Sequence, residues 1–195
     1  MKAPRPAAVC TTTFGLSTCQ VIFTGEWSLA VKEAEATNAL VDQGADVITC
    51  HVDSPKVVVQ TAAGRGAFIC GYHANQSLLA PDKYLTGAEW AWGNVYKMFA
   101  ESLLAGKELP NFTRGGLADG FVKMSPLGPA VSDVGRKQFD TTLAEMMKGG
   151  FAVIKGPLKS NTGEVVATDG QSFPETALEL ESMSYLVEGV IGSTS

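Results

Sequence analysis

This chain of 195 residues has few charged side chains, few cysteines and no long apolar run. Charged residues make up only 18% of it, below the roughly 25% of an average soluble domain, whereas 45% are hydrophobic. Disordered chains combine low hydrophobicity with high charge, so this composition excludes disorder as the main state. Four cysteines are too few for a disulfide scaffold, and no apolar run is long enough to span a membrane.

The sequence also lacks the signatures of several functional classes. It carries 15 basic and 20 acidic residues, with no long basic cluster, so we predict no nucleic-acid-binding surface. It contains no nucleophile-elbow motif and no phosphate-binding P-loop. The Gly64-Arg65-Gly66 triplet precedes a predicted strand instead of following one, so it is no dinucleotide fingerprint. We therefore predict no cofactor.

The first twenty residues form an atypical leader. Lys2 and Arg5 resemble the basic start of a signal peptide, but threonine, glycine and serine interrupt the apolar segment that should follow. We therefore predict that residues 1–20 are poorly ordered and do not form an intact signal peptide.

Strand and helix signals alternate after this leader. Short apolar runs at 21–23, 45–50 and 67–71 predict three strands that are adjacent and parallel, because helical stretches ending at glycine separate them. Residues 84–88 resemble a fourth strand. Ser28 is placed to cap the first helix, and Pro55 fits the first turn of the second.

The second half of the chain predicts longer helices and a hairpin. Apolar residues at helical spacing follow Trp92 and again follow Val131, and each run stops at glycine. Residues 115–126 are typical of an extended or crossing segment, and 151–154 of a strand. A turn at Asn161-Thr162-Gly163 predicts a hairpin, and residues 178–190 predict a final helix.

Polar and aromatic side chains gather in the loops that follow the predicted strands. Ligands of an open parallel sheet bind at the carboxyl ends of its strands. Aromatic faces with a few hydrogen-bonding groups suit a flat heteroaromatic ligand. The candidate residues in these loops are Glu26, Trp27, His51, Asp53, His73, Asn75, Gln76, Glu89 and Trp90.

Two cysteines lie beside the histidines of these loops. Cys50 with His51 and Cys70 with His73 offer zinc-ligand types. Adjacent residues on a strand point to opposite faces, which opposes convergence on one metal ion. Two buried thiols are the plainer interpretation, and a Cys50–Cys70 disulfide stays open. We predict no metal site.

Four segments resemble the basic membrane protein (BMP) family of ABC-transporter substrate-binding proteins. They are FTGEW (23–27), NALVDQGADVI (38–48), GYHANQSLLAPDKYLTG (71–87) and YLVEGVIG (185–192). The resemblance covers about residues 21–192, and GADVI together with LAPDKYLTG is its most specific part. Members of the purine-binding type capture purine nucleosides or bases for bacterial ABC importers without catalysis.

The resemblance implies an α/β fold, with a parallel, doubly wound lobe like the C-terminal lobe of a type I periplasmic binding protein. It divides the chain into the leader (1–20), a ligand-binding lobe (21–112), and a hinge-crossing strand, long helix and return segment (113–195). Members are two-lobed clamshells, and this chain resembles the C-terminal two-thirds of one. The implied location is the periplasm or cell envelope, with ABC permease subunits as partners.

The resemblance also assigns roles to the loop residues. Trp27 would stack on a purine base and Trp90 would line or close the pocket. Four hydrogen-bonding residues would read the edge of the base, namely Glu26, Asp53, His73 and Asn75. Nucleoside-binding members carry an aspartate and a lysine for the ribose, where this chain has His73 with Asn75, and then Glu89 with Trp90. We therefore expect an adenine-like free base.

Two other interpretations remain open at this stage. The chain could be a small cytosolic α/β enzyme that uses His51 or His73 as an acid or base, or a truncated chain that folds without binding. A missing first lobe would also expose apolar surface and favour self-association. The expected donors of that surface lie on the long helix and are Val131, Phe139, Leu143 and Met146.

Overall fold

A computed structural model describes residues 18–174 and 177–194 of the chain. Most of the predicted leader lies outside the described residues, but Cys19 and Gln20 form the first strand. In chain order the elements are β1 (Cys19–Gln20), α1 (Ala30–Asp42), β2 (Val47–Thr49), α2 (Pro55–Gly64), β3 (Phe68–His73), β4 (Tyr84–Trp90), α3 (Trp92–Leu104), β5 (Val122–Met124), α4 (Asp133–Met146), β6 (Ala152–Lys155), β7 (Leu158–Lys159), β8 (Val165–Ala167), β9 (Ser172–Pro174), α5 (Leu178–Glu181) and β10 (Val190–Ile191).

The largest sheet has four strands in the order β2-β3-β4-β5. β2, β3 and β4 are parallel, whereas β5 pairs antiparallel with β4. The parallel pairing predicted for residues 45–50 and 67–71 is therefore confirmed. Since β2, β3 and β4 run in one direction, their carboxyl ends lie at one edge of the sheet, and this places the candidate loops together.

The core of this lobe lies between the sheet and α2, with α1 packed against α2. Val59 and Ala62 of α2 are fully buried, as is Tyr84 at the start of β4. Leu40 and Val41 of α1 are partly buried and pack against this core. Burial of apolar side chains, at about 25 cal/mol per Å² of apolar surface, is the main force that holds α2 on the sheet.

The side chain of Tyr84 leaves room only for glycine at two positions in neighbouring strands. Gly71 of β3 and Gly87 of β4 are paired in register, and the side chain of Tyr84 lies against both. A Cβ atom at Gly71 would come 2.5 Å from the Tyr84 hydroxyl oxygen. That hydroxyl is hydrogen-bonded to Ser125 Oγ at 3.1 Å, so the glycines make room for a satisfied buried polar group.

The strand predicted at residues 21–23 is wrong. These residues form no strand, and none of them joins the sheet that contains β2. Instead β1 pairs in parallel with β10, and the Val21 amide continues this pairing by donating to the Ile191 carbonyl at 2.9 Å. An apolar run predicts extended backbone but does not select its partner, which here is the far end of the chain.

The helix predicted at residues 178–190 is also wrong beyond its first turn. α5 ends at Glu181, and the following apolar residues are buried without forming a helix. Their helical spacing is misleading, because the Leu186 carbonyl accepts from the Asn161 amide and the Glu188 amide donates to the Lys159 carbonyl. Pairing with the β7 segment satisfies the backbone groups that a helix would have satisfied internally.

The remaining predictions have mixed outcomes. The hairpin is confirmed, since β7 and β8 are antiparallel and Gly163 at their turn has a φ of +91°. Ser28 does not cap α1, because its hydroxyl is paired with that of Ser54 at 2.6 Å. Ser132 caps α4 by accepting from the Gly135 amide. Among the described residues, no helix combines the length and apolar character that a membrane crossing needs.

The predicted apolar faces of α3 and α4 are only partly covered. α4 contains no buried residue. Three of the predicted apolar donors lie on it and are half-buried, namely Phe139, Leu143 and Met146. Val131 was predicted on this helix but precedes it, and Val134 on the helix is 78% exposed. On α3, Val95 is buried while Tyr96 and Leu104 are 64% and 88% exposed. Both helices therefore keep apolar surface that the described residues leave unpacked.

Candidate functional site

The carboxyl ends of β2, β3 and β4 bring five aromatic rings together. We call this group the aromatic edge, and its members are Trp27, His51, Tyr72, His73 and Trp90. His51 follows β2, Tyr72 and His73 end β3, and Trp90 ends β4. Trp27 lies in the loop before α1. The structure thus assembles the loops that the sequence analysis selected.

The rings contact one another in a continuous series. Trp27 meets His51 edge-on, with centroids 5.4 Å apart, and His51 meets Tyr72 in the same way at 4.7 Å. Tyr72 then lies 4.2 Å from His73 and 5.9 Å from Trp90. Edge-to-face contacts of this kind stabilise aromatic pairs beyond simple burial. The two tryptophans remain accessible, with 37% of Trp27 and 38% of Trp90 exposed.

Polar contacts that pass through Asp53 connect the same residues. The Trp90 indole Nε1 donates to His73 Nδ1 at 2.7 Å. His73 Nε2 lies 3.3 Å from Asp53 Oδ1, and the Asp53 backbone amide donates to the Trp27 carbonyl at 2.6 Å. One chain of polar contacts therefore runs from the end of β4 through β3 and the β2 loop to Trp27.

The backbone of His73 has an unusual conformation. Among the described residues other than glycine, His73 alone has a positive φ, at +74°. Residues other than glycine adopt this left-handed conformation at a cost in free energy. Residues held in it concentrate at functional sites. The conformation occurs at the last residue of β3, where the ring turns toward Trp90.

The ionisable groups of the edge favour a mostly neutral surface. Burial lowers the pKa of His51, the nearby His73 lowers it further, and Asp53 partly opposes both. Burial also raises the pKa of the Tyr72 hydroxyl, assisted by the charge of Asp53 and then by Cys50. Near neutral pH, His51 is therefore uncharged and Tyr72 keeps its proton, so Asp53 is the carboxylate of the edge.

The two cysteines near the edge are free thiols. Burial, assisted by the charge of Glu33, raises the pKa of Cys50 to about 12, and burial raises the pKa of Cys70. A thiol rather than a thiolate is a poor nucleophile and a poor metal ligand. Within residues 18–174 and 177–194, no group of three or more His, Cys, Asp or Glu side chains is arranged to hold a metal ion.

Four candidate residues lie outside the aromatic edge and its Asp53 contact. The Asn75 side chain accepts from the Ser77 amide at 2.9 Å and so stabilises the turn after β3. Glu26 is exposed, and its backbone carbonyl accepts from the Thr24 hydroxyl. Gln76 and Glu89 are buried, and Glu89 is bound to Ser125 and Lys123. Tyr72, at the centre of the ring series, was missed as a site residue, although its position beside His73 at a strand end was a usable signal.

Two cavities lie away from the aromatic edge. One, of about 300 Å³, lies beside β1 and β10 and is lined by residues that include Gln20, Phe23 and Ile191. The other, of about 380 Å³, lies beside the β7–β8 hairpin. None of the five rings lines either of them.

Residues 17–152 match a protein family described as ABC transporter substrate-binding protein PnrA-like (Bmp). The match includes the whole aromatic edge and all four strands of the main sheet.

Two relatives align with most of the chain. A purine-binding protein of Brucella abortus is 33% identical over 88% of this chain and 48% of its own length. A protein of Haloferax volcanii, provisionally named an ABC transporter glucose-binding protein, is 30% identical over 90% of this chain and 42% of its own length. The chain therefore spans just under half the length of these relatives.

Solved structures support the same fold. A transcriptional activator of the comK gene from Bacillus halodurans superposes with a TM-score of 0.62 at 25% identity, over 66% of this chain and 46% of that one. An ABC transporter solute-binding protein from Conexibacter woesei gives a TM-score of 0.52 at 20% identity, over 68% of this chain and 45% of that one. These likenesses match the α/β lobe with its parallel sheet.

Proposed function

The chain belongs to the Bmp family of PnrA-like ABC transporter substrate-binding proteins, and from this premise we propose that its aromatic edge binds a purine base, adenine being the best candidate, without catalysis. The observation that carries the proposal is a pair of accessible tryptophans linked through Asp53. The Asp53 backbone amide binds the Trp27 carbonyl, and the Asp53 carboxylate faces His73, which binds Trp90. The relative from Brucella abortus, named as purine-binding, supports the same ligand class.

Stacking supplies the larger part of the proposed interaction. Base–aromatic stacking is worth about 1–3 kcal/mol per base in other proteins. Trp27 is the proposed stacking partner, and Trp90 provides the second aromatic wall. Both indoles are held by neighbouring rings, so less conformational entropy is lost when a planar ligand binds.

Asp53 supplies the polar recognition in this proposal. Its Oδ1 faces His73, and 57% of its side chain is accessible, which leaves Oδ2 available to accept an N–H of a base. Glu26 and Asn75 were also predicted to hydrogen-bond the edge of the base. For them to do so, their loops would have to move toward the rings. The exocyclic amine and ring N–H of adenine are donors of the required type.

The same geometry disfavours a sugar as the ligand. A hexose carries several hydroxyl groups, and each one buried without a partner costs about 1–3 kcal/mol. The polar atoms of His73 and the indole nitrogen of Trp90 are already engaged with each other and with Asp53. A hexose would therefore need partners for all its hydroxyls from Asp53, His51 and Tyr72, whereas a base also uses the two accessible indole faces, so we favour a base over glucose.

In the cell, the proposed role is capture of this solute outside the cytoplasm and its delivery to ABC permease subunits. The assignment of location and partners follows from the family to which the chain belongs. The competing proposal is an enzyme that uses His51 or His73 as an acid or base. We favour binding over catalysis because the matching family is described as substrate-binding and Nδ1 of His73 is engaged by Trp90.

Calorimetric titration of the chain with adenine and with glucose tests the proposal. We expect heat of binding with adenine and none with glucose. The bound material is then released by denaturation and weighed by mass spectrometry, where we expect unchanged adenine. Binding of glucose alone, absence of binding to adenine, or recovery of a chemically altered ligand would each overturn the proposal.

A further inference from the structure

We propose that His73 is a positioning residue that fixes the indole of Trp90, and that it does not hydrogen-bond the ligand itself. This inference rests on the proposed function, because it assigns a role within the same site. It differs from the expectation drawn from sequence, in which His73 was one of the groups that read the edge of the base.

Both ring nitrogens of His73 are already occupied. An indole N–H can only donate a hydrogen bond, so Nδ1 of His73, 2.7 Å from Trp90 Nε1, must accept and carries no proton. The neutral ring then carries its proton on Nε2, which faces Asp53 Oδ1 at 3.3 Å. A ligand that hydrogen-bonds His73 would have to compete with Trp90 at Nδ1 or with Asp53 at Nε2.

The backbone of His73 is shaped for this contact. His73 pairs in register with Glu89 of β4, so regular alternation would place the His73 ring on the sheet face that carries the Glu89 side chain. Glu89 is bound there to Ser125 and Lys123. The left-handed φ of +74° breaks the alternation, and the ring lies instead against Tyr72 and Trp90 on the opposite face.

The consequence for binding is a prearranged aromatic wall. Trp90 is 38% exposed, so its contact with the Tyr72 ring restrains only part of the indole. The hydrogen bond to His73 holds the ring plane and also consumes the one polar atom of the indole. Immobilising a side chain in advance removes part of the entropy cost of binding, so loss of the bond should weaken adenine binding about two- to tenfold.

Two substitutions of His73 separate its two contacts. The side-chain oxygen of asparagine replaces Nδ1, and asparagine tolerates the left-handed backbone, so His73→Asn keeps an acceptor for Trp90 and loses the donor to Asp53. The amide nitrogen of glutamine replaces Nε2, so His73→Gln keeps the donor to Asp53 and loses the acceptor for Trp90. We expect adenine affinity to be nearly unchanged in the first variant and two- to tenfold weaker in the second.

Trp90→Phe removes the indole N–H without touching β3, and so remains informative if a His73 variant folds poorly. We expect its loss of affinity to be at least that of His73→Gln, since phenylalanine also offers a smaller aromatic face. We expect the double variant to lose no more than Trp90→Phe alone, because both changes remove the same hydrogen bond. If His73 contacted the ligand directly, the two losses would multiply, and that outcome would overturn the proposal.

Nuclear magnetic resonance of the ligand-free chain supplies a separate readout. The sequence has three tryptophans and two histidines, so single substitutions assign every indole and imidazole signal. We expect an unprotonated Nδ1 and a protonated Nε2 in His73, and a Trp90 indole proton shifted by its hydrogen bond in the wild type and in His73→Asn but not in His73→Gln. A proton on Nδ1 would overturn the positioning role even if adenine binds, whereas absence of adenine binding with these signals intact would overturn the proposed function alone.

Discussion

The backbone amide of Asp53 donates a hydrogen bond of 2.6 Å to the carbonyl of Trp27. Beside it, the hydroxyls of Ser28 and Ser54 lie 2.6 Å apart. These two contacts fasten the loop before α1 to the loop after β2, although the loops are distant in sequence. The position of the proposed stacking residue relative to the proposed carboxylate is thereby set by the backbone.

Trp27→Ala should be the most damaging single substitution for adenine binding. Loss of a stacking face costs about 1–3 kcal/mol in base-binding proteins, and the backbone bond to Asp53 should survive because it uses the Trp27 carbonyl. Calorimetry with adenine measures the effect. Phe112→Ala is the matched control, since Phe112 is an aromatic residue that is 72% exposed and lies outside the aromatic edge. Equal losses in the two variants would contradict the role of Trp27.

Adenine should bind more tightly than adenosine. The ribose adds hydroxyl groups, and each one left unpaired costs about 1–3 kcal/mol, while the polar atoms of His73 and Trp90 are already engaged. Parallel titrations with the base and the nucleoside give the difference directly. A preference for adenosine would show that other residues provide partners for the ribose.

Ser125→Ala should lower the free energy of unfolding by about 1–3 kcal/mol. Ser125 is buried, and its hydroxyl lies between the Tyr84 hydroxyl at 3.1 Å and Glu89 Oε1 at 2.7 Å. Its removal leaves two buried polar groups with fewer partners. Urea denaturation measures the change, with the exposed Ser182→Ala as the control. A loss no greater than in that control would contradict the importance of this network.

The chain should lose stability as the pH falls through the range in which histidine titrates. Burial, followed by the effect of His73, lowers the pKa of His51 in the folded state. The unfolded chain, with a histidine pKa of about 6.5, therefore binds the proton first, and folding stability present above that pH is lost below it. Urea denaturation across this range should show a smaller loss in His51→Gln. An unchanged pH dependence in that variant would contradict the assignment.

The exposed apolar faces of α3 and α4 should cause weak self-association. Leu104 is 88% exposed and Tyr96 64% on α3, and Val134 is 78% exposed on α4. Exposed apolar side chains of this size favour association. Sedimentation velocity over a concentration series should show larger species that decrease in Leu104→Glu. A single monomeric species at every concentration would disprove this expectation.

Local sequence determined much of the lobe. Short β-branched runs predicted β2 and β3 and their parallel pairing, because a helix between two strands imposes a crossover. The rule that ligands bind at strand carboxyl ends selected the loops that carry Trp27, Asp53, His73 and Trp90. The Asn161-Thr162-Gly163 sequence predicted the turn between β7 and β8. Gly163 adopts the left-handed backbone there, which glycine reaches most easily. Each of these inferences depends on neighbours close in the chain.

Only the tertiary structure decided which distant groups meet. The sequence predicted extended backbone at 21–23 and helix at 178–190, but pairing of β1 with β10 and of the β7 segment with residues 186–188 overrode both. It predicted that His73 reads the edge of a ligand, while the fold binds Nδ1 of His73 to Trp90 and turns Nε2 toward Asp53. The physical reason is that backbone and side-chain hydrogen bonds are satisfied by whichever partner the packed chain brings near, and local propensity carries no information about that partner.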